Sequence, residues 1–164
     1  MLLLVDLDGV VYRGTESIPG MPELLAQRAA GGDTIVYVTN NSRWHRTEYQ
    51  ARLEGMGAPA PLEHNLTSAR GTALALVGLP QPPRLSMVFG GVGVRRELED
   101  GGLSTVVCSY AGLDREPDGF VCGVDFDLSF ERLSAASMSA RAGAFFAATN
   151  RDPIFPMPDG LKAG

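Results

Sequence analysis

Asp6 and Asp8, in the run Asp6-Leu7-Asp8-Gly9, are the first residues whose type and spacing could do chemistry. If Leu2 to Leu7 is a strand, its alternation sends both carboxylates to one side and Leu7 to the other. Carboxylates that close call for a cation or a shared proton, unless they are only a polar strand end entering a turn. An EF-hand loop opens similarly, but Ser17 stands where its final bidentate Glu would fall. The second group is Val38-Thr39-Asn40-Asn41-Ser42. A hydroxyl, amides and the free N–H groups of a helix start would converge there, a cradle for a phosphoryl group. A turn followed by an N-cap is the plainer alternative. In an open α/β sheet, ligands bind outside the carboxyl ends of strands, so both groups would face one cleft.

The elements that must position these groups follow from patterning. Leu2 to Leu7 is apolar almost without a break, as expected of a central parallel strand covered on both faces. A helix is expected from Pro22 to Ala30, stopped by Gly31-Gly32, and a β-branched strand from Thr34 to Thr39. Ser42 is the expected cap of the next helix, on which Tyr49, Leu53 and Met56 recur before Gly57. A short extended piece near Leu66 leads to Ser68 and an alanine-rich helix reaching Val77. The proline-rich stretch Gly78 to Pro83 reads as a linker. Beyond it, strands are expected at 85–89, 105–109, 120–124 and 144–148. Helices are expected around Arg95–Glu99 and from Ser129 to Ala142.

Short apolar runs alternating with amphipathic ones define the fold class as α/β. The hydrophobic fraction of 45% and charged fraction of 20% are those of a globular chain. The net charge of −5 argues against nonspecific nucleic-acid binding, which needs a basic footprint. No run approaches a membrane span and the opening run is no signal peptide, so a cytoplasmic location is expected. Cys108 and Cys122 fit no metal spacing and read as buried, reduced thiols. His45 and His64 read as solvated, and Trp44 as a packing residue. The turn in Phe89-Gly90-Gly91-Val92-Gly93-Val94-Arg95-Arg96 reads as a tight turn rather than a dinucleotide site, since Arg96 replaces the third glycine.

Asp6 to Gly14 resembles the first motif of haloacid-dehalogenase-like (HAD) hydrolases, and Val38 to Ser42 their second. The wording is similar to the NagD/4-nitrophenylphosphatase branch, as are Gly90–Leu103, Val121–Asp125 and Arg141 to Asp152. The resemblance implies a Rossmannoid parallel-sheet core, residues 1–78, an inserted α/β cap, 79–148, and a return to the core, 149–164. It implies a Mg²⁺-dependent phosphatase of small phosphorylated metabolites. Carried over by position, Asp6 would be the nucleophile that forms an aspartyl-phosphate. Asp8 would protonate the leaving alcohol and then deprotonate water. Mg²⁺ would be held by Asp6 and by Asp8 through its main-chain carbonyl. Thr39, Asn40 and Asn41 would bind the phosphoryl group, and Val10–Gly14 would be a flap.

One departure stands out. The family's third-motif lysine and fourth-motif acidic pair have no counterpart: Lys162 is the only lysine, at a place where the family has a glycine-rich turn, and no acid follows Asp159. The core would then be incomplete on its C-terminal side, with an unpaired sheet edge through which a homo-oligomer is expected to form. Two alternatives follow: a phosphate-binding or interaction protein, or an enzyme that needs a second chain.

Overall fold

The computed structural model describes residues 1–152, 154–157 and 160–163. It forms two compact units, one of Met1–Asn40, Arg46–Thr67 and Asp152–Gly164, the other of Asn41–His45 and Ser68–Arg151. Both are α/β, with parallel sheets and six α-helices among the described residues.

The first unit begins with β1 (Leu2–Asp6), the short antiparallel pair β2 (Tyr12–Arg13) and β3 (Glu16–Ser17), and α1 (Met21–Ala30). It continues with β4 (Thr34–Thr39), α2 (Arg46–Gly55), a single 3-10 turn at Leu62–His64, and β5 (Asn65–Thr67). The sheet order is β1-β4-β5, all parallel. Pro22 stands in the first turn of α1, where its missing N–H is no loss. On β4, Ile35, Tyr37 and Thr39 alternate into the interior, and Ile35 and Tyr37 pack there with Leu7, Val11, Tyr12, Leu25, Tyr49 and Leu53. The amino terminus and Arg28 both pair with Asp33, at 2.6 and 2.7 Å.

The apolar opening strand is not covered on both faces. Leu3 and Val5 pack on the core, while Leu2 and Leu4 are 61% and 70% exposed. The reason is position: β1 stands at an edge of a three-stranded sheet whose core lies on one side. Ser42 does not cap α2 either, since that helix begins at Arg46 and the Ser42 hydroxyl accepts the Val124 N–H at 3.1 Å.

The second unit comprises α3 (Ser68–Val77), β6 (Ser86–Phe89), α4 (Val92–Asp100), β7 (Thr105–Val107), α5 (Tyr110–Leu113), β8 (Gly119–Cys122), α6 (Phe130–Arg141) and β9 (Phe145–Ala148). Its sheet order is β7-β6-β8-β9, all parallel. Every residue of β6 is buried. Val88 packs with Ala69, Ala73, Leu76, Val94 and Leu98 of α3 and α4. Met87 and Phe89, on the opposite face of the strand, pack with Cys108, Phe120 and Ala135. Ser129 caps α6 as expected, accepting the Arg132 N–H at 3.2 Å. The helix expected around Arg95–Glu99 extends over Val92–Asp100, and α5 was not legible because it is a single turn set by Ser109.

Four sequence expectations about single residues change here. His45 is not solvated but 3% exposed, between carboxylates of α4. Trp44 is 41% exposed, with the Arg43 guanidinium 4.6 Å from its ring centre. Cys122 is only partly buried, whereas Cys108 is fully buried and burial pushes its thiol up to about 11; both are free. Lys162 lies not in a turn but in β11 (Gly160–Ala163), which pairs antiparallel with β10 (Ile154–Met157). Gly160, at φ +126°, opens that strand opposite Met157.

Candidate active site

The site is built from strand ends of the first unit. Asp6 closes β1, and its register partner on β4 is Val38; one residue on, Thr39 is opposite Thr67 of β5. Parallel pairing in this register brings Asp6, Thr39, Asn40 and Thr67 to one carboxyl edge of the sheet. Thr39 and Thr67 are buried, 4% and 1% exposed, whereas Asp6, Asp8 and Asn40 are open to solvent.

The Asp6–Asp8 loop is held by its backbone. Leu7 turns inward, 1% exposed, and both carboxylates stay on the surface. The Leu7 carbonyl accepts the N–H groups of Val10, Val11 and Tyr12 at 3.2, 2.9 and 3.3 Å, and Gly9 N–H donates to the Tyr12 carbonyl at 2.7 Å. Gly9 sits at φ +83°, a conformation few other residues adopt, so the loop that fixes Asp8 requires glycine there. Residues 10–14 then enter the β2–β3 hairpin through a turn at Gly14-Thr15.

Beneath the loop lies Tyr12, whose buried hydroxyl has no hydrogen-bond partner among the described residues. Burial pushes its pKa well above the usual phenol value, the Asp8 carboxylate adds to this and Asp6 less so, while Arg52 opposes. The Arg52 guanidinium lies 3.6 Å from the Tyr12 ring centre, so the phenol stays neutral with a cation on its face. Asn40 donates from Nδ2 to Asp152 Oδ2 at 2.6 Å. From sequence, Asn150 and Asp152 read as residues facing the cleft or, equally, as turn chemistry before Pro153, and the pairing with Asn40 is not part of either reading. Asn41 belongs to the second unit, and its Oδ1 accepts the Arg43 N–H at 3.0 Å.

The donor set at Asp6 and Asp8 is all oxygen and solvent-open. It fits a hard cation that keeps several of its waters, as Mg²⁺ does. It offers no imidazole or thiolate that would favour a softer metal.

A family model described as haloacid dehalogenase-like hydrolase matches residues 3–104. Human chronophin is 35% identical over 168 residues, covering 98% of this chain and 57% of chronophin. The crystal structure of a hypothetical protein from Pyrococcus horikoshii OT3 superposes with a TM-score of 0.90 at 32% identity, over 99% of this chain and 63% of that one. A glycerol phosphate phosphatase from Mycobacterium tuberculosis, solved in complex with magnesium, gives a TM-score of 0.83 at 30% identity, over 99% of this chain and 47% of the other. The chain thus spans 57% of the length of that curated relative. With the two strand ends described above, these matches decide the family: the chain belongs to the haloacid dehalogenase-like hydrolases, and its solved structural neighbours include a protein titled nagD and 4-nitrophenyl phosphatases.

Proposed function

We propose that this chain carries the nucleophile and phosphate cradle of a Mg²⁺-dependent phosphomonoester hydrolase acting on a small phosphorylated metabolite in the cytoplasm. The observation that supports it most is the register that sets Asp6 beside Thr39 and Asn40 at one sheet edge. The phosphatases among its relatives support it further.

In this reading an Asp6 carboxylate oxygen attacks phosphorus, a P–O bond forms to Asp6, and the bond to the leaving alkoxide breaks. Asp8, carrying a proton at that moment, gives it to the departing oxygen. As a carboxylate it then takes a proton from the water that attacks phosphorus, which frees phosphate and restores Asp6. Thr39 Oγ and Asn40 Nδ2 donate to the phosphoryl oxygens, and Asn41 keeps the phosphate-binding role that the second motif implies. Asp152, already hydrogen-bonded to Asn40, sets the direction of that amide and is a positioning residue. Mg²⁺, held by the Asp6 carboxylate and the Asp8 main-chain carbonyl, would neutralise charge between nucleophile and phosphate.

Residues 1–78 and 149–164 are assigned to the core and 79–148 to a cap whose side chains select the substrate. The exposed β1 edge is assigned to self-association, and sedimentation showing monomer at every concentration would remove that assignment. The test of the activity is hydrolysis of 4-nitrophenyl phosphate by this chain with and without Mg²⁺, beside Asp6→Asn. Metal-dependent turnover lost in the variant is expected; no turnover above the variant overturns the reading for this chain.

A further inference from the structure

Tyr12 and Arg52 make a contact that the chemistry proposed above does not use. Tyr12 is 1% exposed and packs in the core with Leu7, Val11, Tyr49 and Leu53. Arg52 is partly buried and reaches it from the last turn of α2, its guanidinium carbon 3.6 Å from the ring centre. Arg52 Nη2 is buried without a hydrogen-bond partner among the described residues, and so is the Tyr12 hydroxyl.

Stability alone does not account for this pair. A buried polar atom with no partner costs free energy, and apolar residues of similar volume often replace a buried charged group without loss. The ring face attracts the cation. The dipole of α2 favours a cation in its last turn too, but that gain would survive with the guanidinium head in water. What the contact does is hold the ring, and the Tyr12 backbone belongs to the loop above it. Gly9 N–H donates to the Tyr12 carbonyl at 2.7 Å, and Tyr12 N–H donates to the Leu7 carbonyl at 3.3 Å. Asp8 and Tyr12 also form an isolated bridge. Since Leu7 and Gly9 flank Asp8, a displacement of Tyr12 passes to the peptide groups on both sides of that residue.

We propose, on the reading of the site given above, that Arg52 acts through the Tyr12 ring as a positioning residue for the Asp6–Asp8 loop. It fixes the Asp8 carboxyl group and main-chain carbonyl where the reaction needs them. The support comes from a helix: Tyr49 and Leu53 of α2 are buried in the same core, so the guanidinium stands on a rigid base. The Asp8 and Asp6 charges both act on the Tyr12 hydroxyl, after burial and with Arg52 opposing, so ring and carboxylates lie within electrostatic reach. A misplacement of about 1 Å at a reacting group can cost about a hundredfold in rate, so modest slack in this loop would be felt.

The test compares Arg52→Met with the parent chain. Methionine keeps an apolar stem against the ring and removes the cation. The midpoint of denaturant unfolding should equal the parent's or exceed it. Hydrogen exchange at the Gly9, Val10 and Val11 amides should quicken at least about tenfold, while exchange at the Ile35 and Tyr37 amides of β4 stays as it was. With 4-nitrophenyl phosphate and Mg²⁺, kcat should fall at least about tenfold with KM held within about twofold. Arg52→Lys, which keeps the charge without the flat fork, should recover part of the loss. A parent chain without turnover would remove the proposed function, and the exchange measurement would then decide this inference by itself. Loop exchange and kcat at parent values in Arg52→Met would overturn it. A lowered midpoint with exchange quickened in β4 as much as in the loop would overturn it too, since Arg52 would then serve the fold as a whole.

Discussion

The two parallel sheets end differently at their carboxyl edges. β1 and β4 run out into Asp6-Leu7-Asp8 and Thr39-Asn40, side chains that can attack, donate and exchange protons. β6 and β8 run out into Gly90-Gly91 and Gly123, which carry nothing. What glycine provides there is close approach. A Cβ on Gly123 would lie 2.9 Å from Ser42 Oγ and 2.7 Å from a Val94 methyl, and one on Gly93 would lie 2.4 Å from the Trp44 backbone. The same construction thus puts chemistry at one set of strand ends and tight packing at the other. The motifs Asp-Leu-Asp-Gly and Phe-Gly-Gly are readable for that reason, one as a site and the other as a joint.

Five substitutions would break or sharpen this contrast. The largest effect is expected from Asp6→Asn, a loss of about a thousandfold or more in phosphatase turnover. Because Asp6 is exposed, thermal stability should hold within about 0.5 kcal/mol; a large loss of stability would mean that the carboxylate is structural. Next, Leu98→Ala in the second unit should cost about 3 kcal/mol in denaturant unfolding, since Leu98 is 0% exposed, whereas Leu4→Ala, at 70% exposed, should cost less than about 0.5 kcal/mol. Equal costs would show that the outer face of β1 is covered in solution.

Smaller still is Gly93→Ala. In the first turn of α4 alanine would normally gain a little helix propensity, but the clash with Trp44 should make it destabilising by roughly 2 kcal/mol. A neutral or stabilised Gly93→Ala would dissolve the close-packing reading. The smallest effect concerns acid. Burial acts to raise the Asp118 pKa, but hydrogen bonds from the Leu85 and Arg84 N–H groups and the Arg84 side chain outweigh it and hold the carboxyl below its usual value. Its stabilisation is therefore full above about pH 4 and fades as pH falls through the lowered value. Asp118→Asn should flatten the acid side of a stability profile and leave the alkaline side unchanged.

The α/β class, both strand ends and the Ser129 cap were legible because each rests on local pattern: alternation, β-branching, a cap three residues before the N–H that donates to it. What was not legible depends on partners distant in sequence. Leu2 and Leu4 are apolar in a strand, and nothing local says that one face stays open. Ser42 looks like an N-cap because serine so often is one, yet its hydroxyl serves Val124, far along the chain. His45 sits in a polar run and reads as solvated, while its surroundings are set by α4, more than fifty residues later. Asp152 reaches Asn40 in the same way, across more than a hundred residues, so that pairing is not visible in either local motif.

The central claim is that Asp6 becomes phosphorylated during turnover. The most direct measurement is mass spectrometry of peptides from the chain, acid-quenched after mixing with 4-nitrophenyl phosphate and Mg²⁺. A phosphoryl increment on the peptide that contains Asp6, absent in Asp6→Asn, is the predicted result. Turnover without that increment, or with it on another residue, would contradict the account.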